Sequence, residues 1–296
     1  MNKFVLALGY FDCIHIGHQK ILQSALEYAL KKGITCKVAT FDDGFLSAIK
    51  KDAREVFMLE EKKDILFSIG VGDVLVFPTE SEFLNKTKYE FCDYLNVIGP
   101  ECIFVGSDYR FGKNAEGNVE FLKNNCNCDV VVTDIVFHNG KKVSSSDIRE
   151  MIESGNIEEA NKLLSYPYFI DGIVTEGRKD GRKMQLPTIN IFAGKEKSLP
   201  KFGVYITETI IDNDRFISVT NVGPHPTFSD QNINIESHLI DFNGDIYGKK
   251  VKIIFKKFLR DIKKYSSMEE LKKQIQRDVE LAKEYDYDKI RSGRQQ

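Results

Sequence analysis

The sequence predicts an α/β protein in two parts: a parallel β-sheet covered by helices, then a small antiparallel β-barrel ending in a helix. Three observations predict it. The first half alternates short apolar runs with stretches of helical apolar spacing, the strand–helix–strand order of a parallel sheet. The second half turns to short alternating runs bounded by glycine and other turn residues, which suits a barrel. The length of 296 residues is long for one domain and suits two.

In chain order, Phe4 to Leu8 is a short apolar run fitting a buried strand, and Gly9 breaks it. Ile21, Leu22, Ala25, Leu26, Ala29 and Leu30 then fall at helical spacing. His15 and His18 therefore stand at the turn where a helix begins. The unpaired N–H groups of a helix start carry partial positive charge and favour a phosphate. Two imidazoles three residues apart can share one side of that first turn. Gly17, lacking a Cβ, lets the backbone approach a ligand. The stretch reads as a site for a polyphosphate whose charge grows during reaction. A metal pair, or two surface histidines, is the competing reading, weakened because metalloprotease histidines lie inside a helix.

Further strand candidates are Ile34 to Phe41, Asp73 to Phe77, Cys102 to Gly106 and Val130 to Phe137. Glu55 to Ile69 and Tyr89 to Ile98 are the intervening helix candidates. Ligands of such sheets bind beyond the C-terminal strand ends, where His15 and the segment after Val105 both fall. Ser144, Ser145 and Ser146 precede Ile148, Met151 and Ile152, which reads as an N-cap and a helical face stopped by Gly155. Those serines serve as plain caps, or they add hydroxyls and helix N–H groups to a triphosphate site with Arg149, whose guanidinium can bind two oxygens at once.

After residues 160–168 the rhythm changes. Phe169 to Val174, Val204 to Ile211, Arg215 to Val222, Ile235 to Phe242 and Val251 to Phe255 are strand candidates. Met268, Leu271, Ile275, Val279 and Ala282 step by three and four, the stripe of an amphipathic helix that packs on the barrel. The expected division is 1–160 and 161–296.

A net charge of −2 provides no global field that favours nucleic acid or a membrane surface. No apolar stretch approaches the roughly 20 residues that span a bilayer. The N-terminus lacks a signal-peptide pattern. Six cysteines, all in the first half and none spaced as Cys-x-x-Cys, read as free thiols of a cytoplasmic protein.

The words Gly9-Tyr10-Phe11-Asp12-Cys13-Ile14-His15-Ile16-Gly17-His18 contain His-x-Gly-His, the mark of the nucleotidyltransferase superfamily. They resemble Gly-x-Phe-Asp-Gly-Val-His-x-Gly-His of the bacterial bifunctional riboflavin kinase/FMN adenylyltransferases (FAD synthetases). Val105-Gly106-Ser107-Asp108-Tyr109-Arg110-Phe111-Gly112 is similar to that family's Val-Gly-x-Asp-Phe-Arg-Phe-Gly, and Val143 to Arg149 to its Ile-Ser-Ser-Thr-x-Ile-Arg. The resemblance implies a Rossmann-like nucleotidyltransferase domain in which His15 and His18 are catalytic. It implies that Gly9, Phe11, Asp12, Asp108, Ser144, Ser145 and Arg149 bind ATP, and that Arg110 and Phe111 lie against the flavin.

The second half has its own match. Gly172 to Asn190 is similar to the riboflavin kinase pattern Gly-x-Val-x-x-Gly-x-x-x-Gly-Arg-x-Leu-Gly-x-Pro-Thr-Ala-Asn. Gly177 and Gly181 would let a loop wrap ATP phosphates through its N–H groups. Thr188 and Asn190, two apart on an extended strand, face one side and offer hard neutral oxygens suited to Mg²⁺. The resemblance makes them the magnesium ligands of ATP. Ile235 to Phe242 resembles Glu-x-His-Leu-Leu-Asp-Phe, which makes Glu236 the base for the riboflavin 5′-hydroxyl. Phe258-Leu259-Arg260 resembles a segment whose arginine approaches the flavin phosphate; a plain surface charge is the equal alternative for Arg260.

The activity so implied is ATP-dependent phosphorylation of riboflavin to FMN, then adenylylation of FMN to FAD with release of pyrophosphate. The expected partners are riboflavin, FMN and ATP, with Mg²⁺, and neither nucleic acid nor membrane. Departures bear on it: Cys13 replaces a glycine, Phe41-Asp42-Asp43-Gly44-Phe45 replaces Phe-Glu-Pro-His-Pro, and Gln185 and Ile189 stand for Gly and Ala. A chain keeping one activity, or a flavin-binding regulator that turns nothing over, are the alternatives. A cytidylyltransferase sharing His-x-Gly-His leaves the second half unexplained.

Overall fold

The computed structural model describes residues 3–175, 188–224 and 233–293. They form two compact units. One comprises residues 1–149, 163–166 and 196–198; the other comprises 150–162, 167–195 and 199–296.

The first unit is built on β1 (Phe4–Leu8), β2 (Thr35–Phe41), β3 (Asp73–Phe77), β4 (Cys102–Gly106) and β5 (Asp129–Thr133). All pair in parallel, in the order β3-β2-β1-β4-β5. β1 is buried along its whole length because helices cover both faces of the sheet centre, which is why it reads as an unbroken apolar run. The chain leaves β1 toward β2 on one side and β4 lies on the other, so the connections diverge between β1 and β4. That crevice, beyond their C-terminal ends, is where such sheets hold ligands.

α1 (Ile16–Lys32) follows β1 and ends at Gly33, whose φ of 65° closes the last turn. Next come α2 (Phe45–Ile49), α3 (Leu59–Ser68), α4 (Ser81–Leu84), α5 (Lys88–Ile98) and α6 (Val119–Asn125). Phe77, Phe83, Phe91, Leu95, Ile103, Val105 and Leu122 join Leu6 and Leu8 in one core. The strand expected over 130–137 stops at Thr133. Beyond it lies a hairpin of β6 (Phe137–His138) and β7 (Lys141–Lys142), turned by Asn139 and Gly140 at φ 50° and 77°. α7 (Ser145–Glu153) and α8 (Ile157–Leu163) follow, divided at Gly155 with φ 85°.

The second unit carries β8 (Phe169–Ile173), β9 (Thr188–Phe192), β10 (Gly203–Ile211), β11 (Asp214–Pro224), β12 (Ile233–Leu239) and β13 (Lys250–Arg260). They pair antiparallel in the order β8-β13-β10-β11-β12-β9, and a bridge between Thr175 and Asn190 links the two ends. Alternation sorts the faces. Val204, Ile206, Val219 and Ile240 point outward and pack under Val279, Ala282 and Tyr285 of α9 (Met268–Gly293). The opposite face holds Tyr205, Phe255 and a buried set of hydroxyls. Thr207 bonds Ser218 at 2.8 Å and Thr220 at 2.7 Å, and Thr220 donates to Ser237 at 2.9 Å. These bonds satisfy polar groups that burial would otherwise penalise. Among the described residues no helix is long and apolar enough to cross a membrane.

Candidate active site

The turn after β1 places both histidines. His15 caps α1: its Nδ1 accepts the His18 backbone N–H at 3.2 Å, and the two rings stack with centroids 3.7 Å apart. An Nδ1 that accepts leaves the neutral ring with its proton on Nε2, as a donor. Gly17 makes this possible in a way the sequence does not show. A Cβ there would lie 3.1 Å from the His15 ring, so the glycine makes room for the imidazole itself. Phe11 meets the His18 ring edge-on at 5.1 Å. A Cβ on Gly9 would stand 2.9 Å from the Phe11 ring. Phe11 and Ile14 both hold positive φ (52° and 44°), strain of the kind that gathers at functional sites.

A cavity of about 210 Å³ opens beside the pair. His15, His18, Gly106, Asp108, Thr133, Asp134, Val136, Lys142, Ser144 and Ser145 are on its wall. The lining thus joins the ends of β1, β4 and β5 to the start of α7. Ser144 is the cap there, accepting the Asp147 N–H at 3.2 Å and donating to its carboxylate at 2.6 Å. Asp108 is ion-paired with Lys142, a residue the sequence reading did not select.

Both imidazoles are neutral at pH 7. Burial lowers His15 to about 4, and burial together with the His15 ring pushes His18 well below its ordinary value. The Nδ1 of His18 is buried without a hydrogen-bond partner, so the site holds a polar atom ready for a ligand. A stability consequence follows from the direction of the shift. Between pH 6.5 and 4 the unfolded chain protonates His15 and the folded chain does not, so stability falls as pH falls through that window. Acidification from pH 7 to 5 is expected to cost on the order of 2 kcal/mol from His15. Urea midpoints of the first unit should show it, with a shallower dependence in His15→Gln; equal dependences would contradict it.

Asp12 and Arg149 meet behind the wall. Asp12 is fully buried; its carboxylate takes the Val56 N–H at 2.8 Å and the Arg149 guanidinium at 2.6 Å. Arg149 also donates to the Arg54 carbonyl at 2.6 Å and is absent from the cavity lining. The pair therefore ties α7 to the β1 turn. Arg149→Ala leaves a buried carboxylate uncompensated, and we expect a loss of about 3–5 kcal/mol in unfolding free energy. A loss under about 1 kcal/mol would show the pair to be dispensable.

Cys13 is fully buried and keeps negative φ, so a side chain in place of the family's glycine brings no left-handed strain there. In the segment 41–45, Phe41 and Phe45 stack at 3.8 Å, and the Gly44 N–H bonds Glu55 at 3.0 Å. Phe111 lies in the core against Phe91 at 5.1 Å, away from any open face, whereas its neighbour Arg110 is exposed.

In the barrel, Thr188 stands opposite His238, and Asn190 opposite Glu236, which is also in register with Asn221. Thr188, Asn190 and Glu236 thus share one face, the reverse of the buried Ser237 side. The Thr188 hydroxyl donates to Glu236 at 2.6 Å. Ile189 is buried on the inner side beside Ser237. Arg260 is held bidentately by the buried Asp278 of α9, at 2.7 and 3.1 Å. Gly177, Gly181 and Gln185 lie outside the described residues.

The comparisons cover both units. The family model described as FAD synthetase matches residues 1–147, and that described as riboflavin kinase matches residues 164–286. A bifunctional riboflavin kinase/FMN adenylyltransferase of Listeria monocytogenes is 34% identical over 285 residues, covering 94% of this chain and 90% of its own. One of Bacillus subtilis is 32% identical over 292 residues, covering 96% and 92%. A solved structure from Streptococcus pneumoniae, described as a macrolide-efflux protein, superposes with a TM-score of 0.87 at 31% identity, covering 95% and 94%.

Proposed function

The chain belongs to the family of bifunctional riboflavin kinases/FMN adenylyltransferases, and on that premise we propose how its residues divide the two reactions. It uses ATP to phosphorylate riboflavin to FMN, then adenylylates FMN with a second ATP to give FAD and pyrophosphate. The observation that carries the division is that each half has its own polar constellation, stacked imidazoles at a cavity in one and a Thr188–Glu236 pair on a barrel face in the other. We assign adenylyl transfer to residues 1–160 and the kinase to 161–296, which the spans of the two family models support.

In adenylyl transfer, an FMN phosphate oxygen forms a bond to the α-phosphorus of ATP as the bond to the β-bridging oxygen breaks. Charge gathers on that leaving oxygen. Neutral His15 offers it an N–H that is already oriented, because the Nδ1 bond to the α1 backbone fixes the ring. A preoriented donor stabilises developing charge without reorganising. His18 stacks against it and supplies the second ring. Ser144 and Ser145, at the start of α7, line the same cavity, where their hydroxyls and a helix N-terminus suit phosphate oxygens. Asp108, at its mouth, suits the ribose hydroxyls. Asp12 and Arg149 act by holding the turn and α7 together. Gly9 and Phe11 act by supporting His18.

In the kinase, Glu236 lies within reach of a hydroxyl, as its bond to Thr188 demonstrates, and takes the proton of the riboflavin 5′-hydroxyl as it attacks the γ-phosphate. The donor set fits Mg²⁺: Thr188 and Asn190 are hard oxygen donors on one face, and these two would hold the ion. Bound there, Mg²⁺ would neutralise charge on the transferring phosphate. The free thiols of all six cysteines support a reducing, cytoplasmic setting.

The test is to incubate the protein with riboflavin, ATP and Mg²⁺ and separate the flavins. FMN should appear first and FAD after it. Appearance of neither would reject the reading.

A further inference from the structure

We propose that Lys197, carried by the half of the chain that matches the riboflavin kinase model, is a positioning residue for adenylyl transfer: it locks residues 54–57, and through them the turn that bears His15 and His18. The inference rests on the adenylyl-transfer reading above and adds to residues 1–160 a piece of chain from beyond them.

Residues 196–198 belong structurally to the first unit, although β9 ends at Phe192 and β10 begins at Gly203. Lys197 forms a parallel bridge with Glu55. The Glu55 N–H bonds the Glu196 carbonyl at 2.7 Å, and the Ser198 N–H bonds the Glu55 carbonyl at 2.7 Å. Between those two bonds Lys197 is 1% exposed. Its ammonium pairs with the buried Glu61 carboxylate and lies 5.1 Å from the centre of the Phe57 ring. Glu61 also accepts the Met58 N–H at 2.8 Å, so the same carboxylate fixes the entry into α3. Parting a buried pair would leave a charge uncompensated, so residues 196–198 have one seat.

Successive residues of an extended segment turn their N–H and C=O groups to opposite edges. Glu55 gives its edge to residues 196–198. Arg54 and Val56 face the other way: the Arg54 carbonyl accepts Arg149 at 2.6 Å, and the Val56 N–H bonds Asp12 at 2.8 Å. The Glu55 side chain accepts the Tyr10 hydroxyl at 2.7 Å and the Gly44 N–H at 3.0 Å. Tyr10 and Asp12 flank Phe11, whose left-handed backbone sets its ring against His18. Three consecutive residues thus hold the histidine turn, and their outer edge is held in place by Lys197 and its neighbours. Chain from beyond residue 160 also reaches the turn directly: Leu164 bridges His15, and the Ser165 N–H bonds the Ile14 carbonyl at 3.1 Å. The first unit is completed by the second half of the sequence.

The experiment follows a single turnover of supplied FMN and ATP to FAD, with the full chain in saturating excess over FMN. The rate constant then reports the competent molecules alone, whereas misfolding lowers only their number. In Lys197→Met it should fall roughly 10- to 100-fold, the size expected of a displacement of about 1 Å at the reacting groups, with the KM for ATP within about threefold. A rate constant within twofold of wild type would overturn the assignment. Lys197→Met combined with Glu61→Gln leaves no buried charge uncompensated, and it should remain at least about fivefold slow. Its return to within twofold would overturn the assignment, since Lys197 would then only neutralise Glu61. Riboflavin phosphorylation in the same preparations should be unchanged; an equal fall there would mean that residues 196–198 serve the barrel, and would overturn it too. If the wild-type chain made no FAD, the underlying reading would fail instead. Amide exchange over residues 54–57 would still decide the role of Lys197: exchange about tenfold faster or more in Lys197→Met supports it, and exchange equal to wild type overturns it.

Discussion

Replacing His15 with alanine is expected to lower conversion of FMN to FAD by about 100- to 1000-fold while riboflavin is still phosphorylated. The size of the effect comes from what the ring does in place. Its Nδ1 is tied to the start of α1, its plane is fixed against His18, and Gly17 leaves it room. Alanine removes the oriented donor proposed to meet the charge at the α–β bridge. The effect should fall on kcat more than on the KM for ATP, because the charge it meets develops only as the bond breaks. A variant with FAD formation within about tenfold of wild type would remove His15 from the reaction.

Glu236→Gln should suppress riboflavin phosphorylation by about 100- to 10,000-fold and leave the conversion of supplied FMN intact. Glutamine keeps the shape of the side chain and can still accept the Thr188 hydroxyl, so the strand pairing of β9 with β12 survives. It cannot take a proton. The comparison therefore separates the base from the scaffold. Retention of kinase activity within about tenfold would mean that the 5′-hydroxyl loses its proton elsewhere.

What the sequence reveals of this protein divides by range. β1, its turn and α1 are legible because a closed apolar run, a glycine and a 3.6-residue rhythm are local signals. The barrel strands are legible for the same reason. Pairings across the chain are not. Arg149 reads as a phosphate ligand, and its pairing with Asp12, 137 residues away, is visible only in the fold. Lys197, buried on Glu61 in the first unit, sits in a segment with no local period to announce it. Phe111 follows exposed Arg110 in a loop, and no rhythm there tells the buried ring from the open one. Lys142 had a usable signal. Asn139-Gly140 is the turn of a two-residue hairpin, and reading it would have ended the strand before Phe137 and set Lys142 at the cavity rim.

The separation of the two chemistries is tested most directly by running both conversions on both variants, with flavins resolved by chromatography. His15→Ala should turn riboflavin into FMN and stop there, and Glu236→Gln should turn supplied FMN into FAD but leave riboflavin untouched. Loss of both conversions in either variant would contradict two independent sites in one chain.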